Sequence, residues 1–323
     1  MNWLAAALAD CGFRVERHKS LECCTHLPTY DDKPHVDLVV FNHTDIEKVN
    51  GLFPVTSDMT WFFKPTVPDN KHATLDRLGF GPFSEITYEK PDYMSAKSDD
   101  VDAFYAKEVN QWILNNSSKW GNDHFRNETR PEAKDYILVV GQTIQDEVVN
   151  HHSLGGYAHH LWGIIEEIRR VSDKAIVVKM HPKQREDNEY AHTRMKEGIE
   201  KLNIDNIEIY DDYSSIHNFL PGASHVVTAN SGSGFEAMMH NVPIISFGHP
   251  EYHWETFDLR KRCEMRQALD TDTWYSEENT RKFLYWYMQE YCFFDFISAK
   301  KRVKYLLSQE SHKKAHDGNK KDA

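Results

Sequence analysis

The stretch Thr228-Ala-Asn-Ser-Gly-Ser-Gly-Phe-Glu236 decides the fold. It closes one apolar run, Ser224-His-Val-Val-Thr228, and opens another, Phe235-Glu-Ala-Met-Met-His240. The first has the character of a buried strand and the second of a helix. A turn of small residues between them leaves backbone N–H groups unpaired at the positive end of a helix dipole, which suits an anion. Upstream, Ala175-Ile-Val-Val-Lys179 is a second strand, and Met180-His181-Pro182 follows it. Strand ends of one parallel sheet open on a common crevice. The two segments therefore imply a phosphate held between the Ser231-Gly232-Ser233-Gly234 turn and a basic strand end at Lys179 and His181.

The pattern around them is regular. Strands are expected at 136–140, 175–179, 207–210, 225–228 and 242–247. Helices are expected at 157–171, 190–202 and 234–240, with a short one at 214–220. Strands alternating with helices at this spacing mean βαβ units and a parallel sheet. The preceding half is α/β as well, with a helix over 3–11, strands over 13–17, 36–41 and 59–63, and helical spacing over 100–115. It begins with a helix, whereas a Rossmann-like half opens with a strand. Either the first strand is absent or the start of the chain is missing. Residues 121–134 are polar, contain Pro131 and serve as a linker. The expected organisation is an N-terminal Rossmann-like domain over 1–120, a second α/β domain over 135–275, C-terminal helices over 276–309 and a disordered polar tail over 310–323.

Composition narrows the function. The 323 residues are 40% apolar and 27% charged, with a formal net charge of −12. Such a chain argues against duplex nucleic acid or an anionic membrane surface as a direct partner. An anionic substrate then needs a local positive patch, for which Lys179, Lys183 and Arg185 are candidates. The five cysteines lack CxxC spacing, and a reduced, cytoplasmic compartment is the simple reading. The segment Met1–Ala9 is apolar but has no basic start and does not resemble a signal peptide.

Four motifs in order resemble the capsule polysaccharide biosynthesis family: Gly141-Gln142-x-x-x-Asp146, Lys179-x-His181-Pro182, Thr228-x-Asn230-Ser231-x-Ser233-Gly234-Phe-Glu236, and Gly248-His-Pro-Glu-Tyr252 after Asn241-Val-Pro243. The resemblance covers roughly residues 135–255. That family includes retaining β-Kdo glycosyltransferases. The resemblance implies a GT-B-like α/β fold of two Rossmann-like domains facing a cleft, with a CMP-sugar as substrate and neither cofactor nor metal. It also implies a glycan or glycolipid acceptor, which would bring peripheral membrane association. Asn230, Ser231, Gly232, Ser233 and Gly234 would hold the donor, with Lys179, Pro182 and Tyr252 nearby. Glu236 would accept from the ribose, and His181 would donate to the departing phosphate. Asp146 would be the nucleophile, oriented with the sugar by Gln142.

Blander readings stand beside these. The Ser/Gly turn is also a tight connection, His181 a strand end and Glu236 a first-turn acid facing the dipole. Asp146 with Glu147 is also a helix-start acid pair, Lys183 and Arg185 a solvated face, and Tyr252 a core residue. The pairs His151-His152 and His159-His160 lack zinc-ligand spacing. The alternative functions are a sialyltransferase or sugar-nucleotide epimerase of GT-B type, or a sugar-nucleotide-binding module without turnover.

Overall fold

The computed structural model describes residues 2–15, 35–42, 56–119, 128–144, 146, 148–149 and 156–321. The chain divides into two compact units, each built on its own sheet. The first comprises Met1–Pro65, Lys71–Phe80 and Tyr287–Ala323. The second comprises Thr66–Asn70 and Gly81–Trp286.

In the first unit, β1 (His35–Asn42), β2 (Thr56–Thr66) and β3 (His72–Asp76) form a three-stranded sheet in that order, with β1 and β2 parallel. Trp61 and Phe63 alternate along β2 and place their rings in one core, as the two-residue period of a strand requires. The helices α1 (Asn2–Asp10) and α8 (Phe296–Lys321) cover that core with Leu4, Ala7 and Leu8 from one and Ala299, Val303 and Leu306 from the other. Arg302 donates to the Leu75 carbonyl at 2.8 Å, and the Tyr291 hydroxyl donates to Asp76 at 2.7 Å. These bonds fix the all-buried β3, a strand the apolar pattern did not announce.

The second unit contains a six-stranded sheet of β4 (Tyr136–Val140), β5 (Ile176–Lys179), β6 (Ile207–Tyr210), β7 (Ala223–Thr228), β8 (Ile244–Ser246) and β9 (Phe257–Asp258). Its order is β6-β5-β4-β7-β8-β9, and every neighbouring pair is parallel. This is the doubly wound order of dinucleotide-binding sheets, in which the winding reverses between the first and fourth strands, here β4 and β7. β4 is buried along its whole length because helices cover both faces of a parallel sheet, so it needs apolar residues without alternation. The helix α3 (Tyr157–Val171) turns Tyr157, Leu161, Ile164, Ile165 and Ile168 into the core. That recurrence of three and four is the apolar stripe of a surface helix.

Several expectations change. Phe13 to Val15 are not a strand, and residues 16 and 17 lie outside the described residues. The helix expected at 100–115 is α2, residues 98–114, interrupted by a π turn at Tyr105–Val109. The helical C-terminal region is divided: α7 (Glu277–Trp286) and a π turn end before Phe293, which pairs with Ala73, and α8 then runs helical to Lys321 where a disordered tail was expected. The domain boundary also differs. Residues 81–119 pack with the second unit rather than the first, because the Tyr105 hydroxyl donates to the Met238 carbonyl, Arg281 pairs with Asp102, and Tyr93 meets the Phe283 ring edge-on at 5.2 Å.

Candidate active site

The winding reversal between β4 and β7 forces the chain to leave these two strands in opposite directions, which opens a crevice at their carboxyl ends. Gln142 and Asn230 close its floor. Gln142 Nε2 donates to Asn230 Oδ1 at 2.9 Å, and the Asn230 N–H returns to Gln142 Oε1 at 3.0 Å. The Gln142 backbone N–H donates to the Tyr157 hydroxyl at 2.7 Å. Asn230 Nδ2 also reaches the Gly248 carbonyl at 3.3 Å, so the loop after β8 hangs on the same floor. Gln142 is thus a clamp across the reversal, with both ends of its amide engaged. Tyr157 is buried, and its phenol is pushed up by burial, with the neighbouring Asp146 charge adding to the shift. Replacing Tyr157 with Phe removes the acceptor of that buried N–H and should cost about 1–3 kcal/mol. Urea unfolding reads the loss directly, and an unchanged midpoint would show that the bond contributes nothing.

On the β7 side the Ser231–Gly234 turn opens α6 (Ser233–Met239). Ser231 Oγ accepts the Ser233 N–H at 3.2 Å. The turn rests on Tyr252, whose hydroxyl donates to the Ser231 carbonyl at 2.5 Å and whose ring meets Phe235 edge-on. Tyr252 is 1% exposed, so it belongs to the core directly under the turn, one of the two readings its sequence left open. Glu236 is also buried. Its Oε1 has no hydrogen-bond partner among the described residues, while Ser118, Ser233 and the Lys119 N–H face the carboxyl group. Burial raises its pKa, against the pull of His217 and these donors. A second row of imidazoles backs it: His240 Nε2 lies 2.9 Å from His217 Nδ1, and His217 Nε2 lies 3.0 Å from the Ser117 carbonyl. A carbonyl only accepts, so His217 carries its proton on Nε2 and His240 donates to Nδ1.

At the end of β5, His181 caps the short helix α4 (Pro182–Asp187), with Pro182 in its first turn. His181 Nδ1 accepts the Lys183 N–H at 3.2 Å. The proton therefore sits on Nε2, which makes the neutral ring a donor. Burial lowers its pKa to about 4, and the charges of Lys119, Lys179 and Lys183 act in the same direction. Lys119 thus stands between His181 and Glu236 and brings the two motifs into one neighbourhood. Lys179 does not add charge to the rim as expected. It is buried, and its ammonium donates to the Asp212 carbonyl at 2.5 Å and lies 3.4 Å from the Asp212 carboxylate. Arg185 is paired with Asp211 at 2.8 Å.

Asp146 lies on the loop after β4. Its Oδ1 accepts from Val148 N at 3.0 Å and Val149 N at 3.4 Å, the arrangement of an acid at a helix start. Glu147 and the pair His151-His152 lie outside the described residues. His159 packs against Trp162 and His160 against Phe247, so both serve packing. Sequence reasoning missed Tyr157, Gln184, the 117–119 segment and the His217–His240 pair. Gln184 ties the two strand-end loops together by accepting the Ile144 N–H at 2.6 Å. None of these residues sits in a motif, and their partners are distant along the chain.

The sheet order and its crevice define a Rossmann-type unit in a GT-B-like α/β protein. Residues 74–273, more than half of the chain, match the family described as capsule polysaccharide biosynthesis protein, and the chain belongs to that family. Among solved structures it is similar to Thermosulfurimonas dismutans KpsC, beta Kdo 2,4 transferase, with 15% identity over 77% of this chain and 78% of that one and a TM-score of 0.52. It is also similar to Thermosulfurimonas dismutans KpsC, beta Kdo 2,7 transferase, with 16% identity over 83% and 85% of the two chains and a TM-score of 0.49. At such identity the likeness is one of fold. No curated protein sequence matches the chain. No helix among the described residues is long and apolar enough to cross a membrane.

Proposed function

We propose that the protein is a retaining glycosyltransferase that moves an acidic sugar, Kdo, from CMP to a capsular glycan acceptor. The observation that carries this reading is Glu236, a buried carboxyl with one oxygen left without a partner among the described residues, beside the turn that opens α6. A buried acceptor without a donor is costly and calls for a ligand hydroxyl. The ribose of the donor would supply it. The donor phosphate then lies at the N–H groups of Ser231 and Gly232, at the start of the turn, with His181 Nε2–H donating to it from β5. The description of the first KpsC structure as a beta Kdo transferase supports the choice of sugar.

In this reading Asp146 attacks the anomeric carbon. The bond from that carbon to the phosphate oxygen breaks, its electron pair stays on the phosphate, and CMP leaves. An acceptor hydroxyl then displaces the carboxylate, and two inversions give retention. The two N–H groups on Asp146 Oδ1 hold the side chain in one orientation for that attack. Incubation with CMP-Kdo should give a sugar adduct in the intact mass spectrum. Asp146→Asn should abolish the adduct and lower turnover by about 1,000-fold or more, the scale of losing a nucleophile. CMP release that persists undiminished in the variant would overturn the assignment.

A further inference from the structure

The loop after β8 carries a second histidine with the opposite tautomer to His181. His249 Nδ1 lies 2.6 Å from Asp258 Oδ2. A carboxylate only accepts, so Nδ1 donates and Nε2 presents a lone pair. Asp258 is itself fixed: Ser246 Oγ donates to its Oδ1 at 2.9 Å, and Arg260 lies 3.1 Å from its Oδ2. Burial alone would raise the Asp258 pKa, but the hydrogen bond from His249 and the charge of Arg260 outweigh it and hold the group ionised. The His253 ring packs against the His249 ring, with centroids 4.2 Å apart and the planes inclined at 38°. Burial lowers the His253 pKa to about 4, so at neutral pH it opposes no charge that His249 gains.

The backbone at His249 has φ +47°, a left-handed conformation that a side chain bearing a Cβ adopts at a cost of about 1–2 kcal/mol. Such strain persists where the surroundings enforce it, and it clusters at functional sites. Here the enforcement is visible. Asn230 holds the Gly248 carbonyl, and Gly248 packs so closely on Ala229 that a Cβ there would lie 2.9 Å from its backbone. The loop is thereby fastened to the crevice floor while the His249 side chain stays 29% exposed. The strand ends bearing His181 and His249 lie on either side of the reversal, three strand spacings or roughly 14 Å apart. One presents a proton and the other a lone pair, as their fixed tautomers require.

We propose that His249, oriented by Asp258, is the base that takes the proton from the incoming acceptor hydroxyl. This rests on the glycosyltransferase reading above. The hydroxyl proton passes to His249 Nε2, and the oxygen pair forms the new bond to the anomeric carbon. The bond from that carbon to the Asp146 carboxylate breaks with its pair on the carboxylate. The imidazolium, stabilised by Asp258, returns its proton to water.

The test uses the full chain and His249→Asn, because Asn adopts left-handed φ readily and should leave the loop folded. Transfer to the glycan acceptor should fall by about 100-fold or more. Formation of the enzyme–sugar adduct from CMP-Kdo should keep its wild-type rate. Azide, an anionic nucleophile with no proton to lose, should restore turnover as a glycosyl azide. Asp258→Asn should lower transfer to a smaller extent, leave adduct formation at its wild-type rate and respond to azide in the same way. Transfer within a few-fold of wild type, adduct formation that falls along with transfer, or no rescue by azide would each overturn the proposal. A wild-type protein that forms no adduct and transfers nothing is a different failure: it refutes the glycosyltransferase reading, and this inference falls with it before any variant is read.

Discussion

Replacing Gly234 with Ala should destabilise the second unit by about 1–5 kcal/mol, the reverse of what this change does in most helices. In an ordinary helix Ala is favoured over Gly by about 1 kcal/mol. Here a Cβ on residue 234 would lie 2.2 Å from Tyr252 Cζ and 2.4 Å from its hydroxyl oxygen. Tyr252 is fully buried beneath the turn and has no room to retreat. Overpacking of this kind costs about 1–3 kcal/mol. Moving the ring also breaks the bond to the Ser231 carbonyl, which adds the cost of an unpaired buried polar group, about 1–3 kcal/mol. Urea unfolding of Gly234→Ala in the wild-type and Tyr252→Ala backgrounds separates the contact from any intrinsic effect. Most of the penalty should vanish once the ring is gone. An equal penalty in both backgrounds would show that the contact is not its source.

Lowering the pH from 6.5 to 5 should remove about 3 kcal/mol from the second unit and lower its melting temperature by roughly 10 °C. His160, His181, His225, His240 and His253 all have pKa values lowered from 6.5 to about 4, in each case chiefly by burial. A group with a depressed folded pKa contributes its full stability above 6.5. It loses that stability as pH falls toward 4, because the unfolded chain binds the proton first. Each fully buried ring contributes a slope of about 1.4 kcal/mol per pH unit. His160 and His225 meet that description, while the other three are half-buried and count for less. Glu236 and Glu255 act in the opposite sense, since burial raises both and the native state takes up their protons first. The remainder is about 2 kcal/mol per pH unit. Thermal unfolding at half-unit steps from pH 7.5 to 4.5 measures it, and a flat melting temperature down to pH 5 would refute it. His225→Gln should flatten the slope.

The second unit was legible because a parallel sheet covered on both faces needs uninterrupted apolar strands, and Tyr136–Val140 and Ile176–Lys179 are such runs. β9 escaped notice because Phe257–Asp258 is too short to carry a period. β3 escaped because His72, Thr74 and Asp76 look polar although all are buried; their burial depends on contacts more than two hundred residues away, such as Arg302 to Leu75 and Tyr291 to Asp76. The same reason divided the site. Gln142, His181 and Glu236 stand in motifs at strand ends, where topology alone makes residues converge. Asp258 and Tyr157 act through a partner, and no spacing advertises a partner. The partners of Lys179 and Tyr252 were hidden for the same reason, since only packing reveals Asp212 beside one and the Ser231 carbonyl beside the other.

The pairing of Lys179 with Asp212 has a kinetic consequence. Arg185 and Lys196 share the Asp211 carboxylate, so most of this positive charge is offset within the protein. The chain as a whole carries −12, and an anionic ligand approaching from solvent meets a repelling field rather than an attracting one. Capture then depends on short-range N–H groups, whose pull fades within the first turn of the helix. Association should be slower than for an electrostatically steered encounter, and added salt should leave it unchanged or speed it slightly by screening the repulsion.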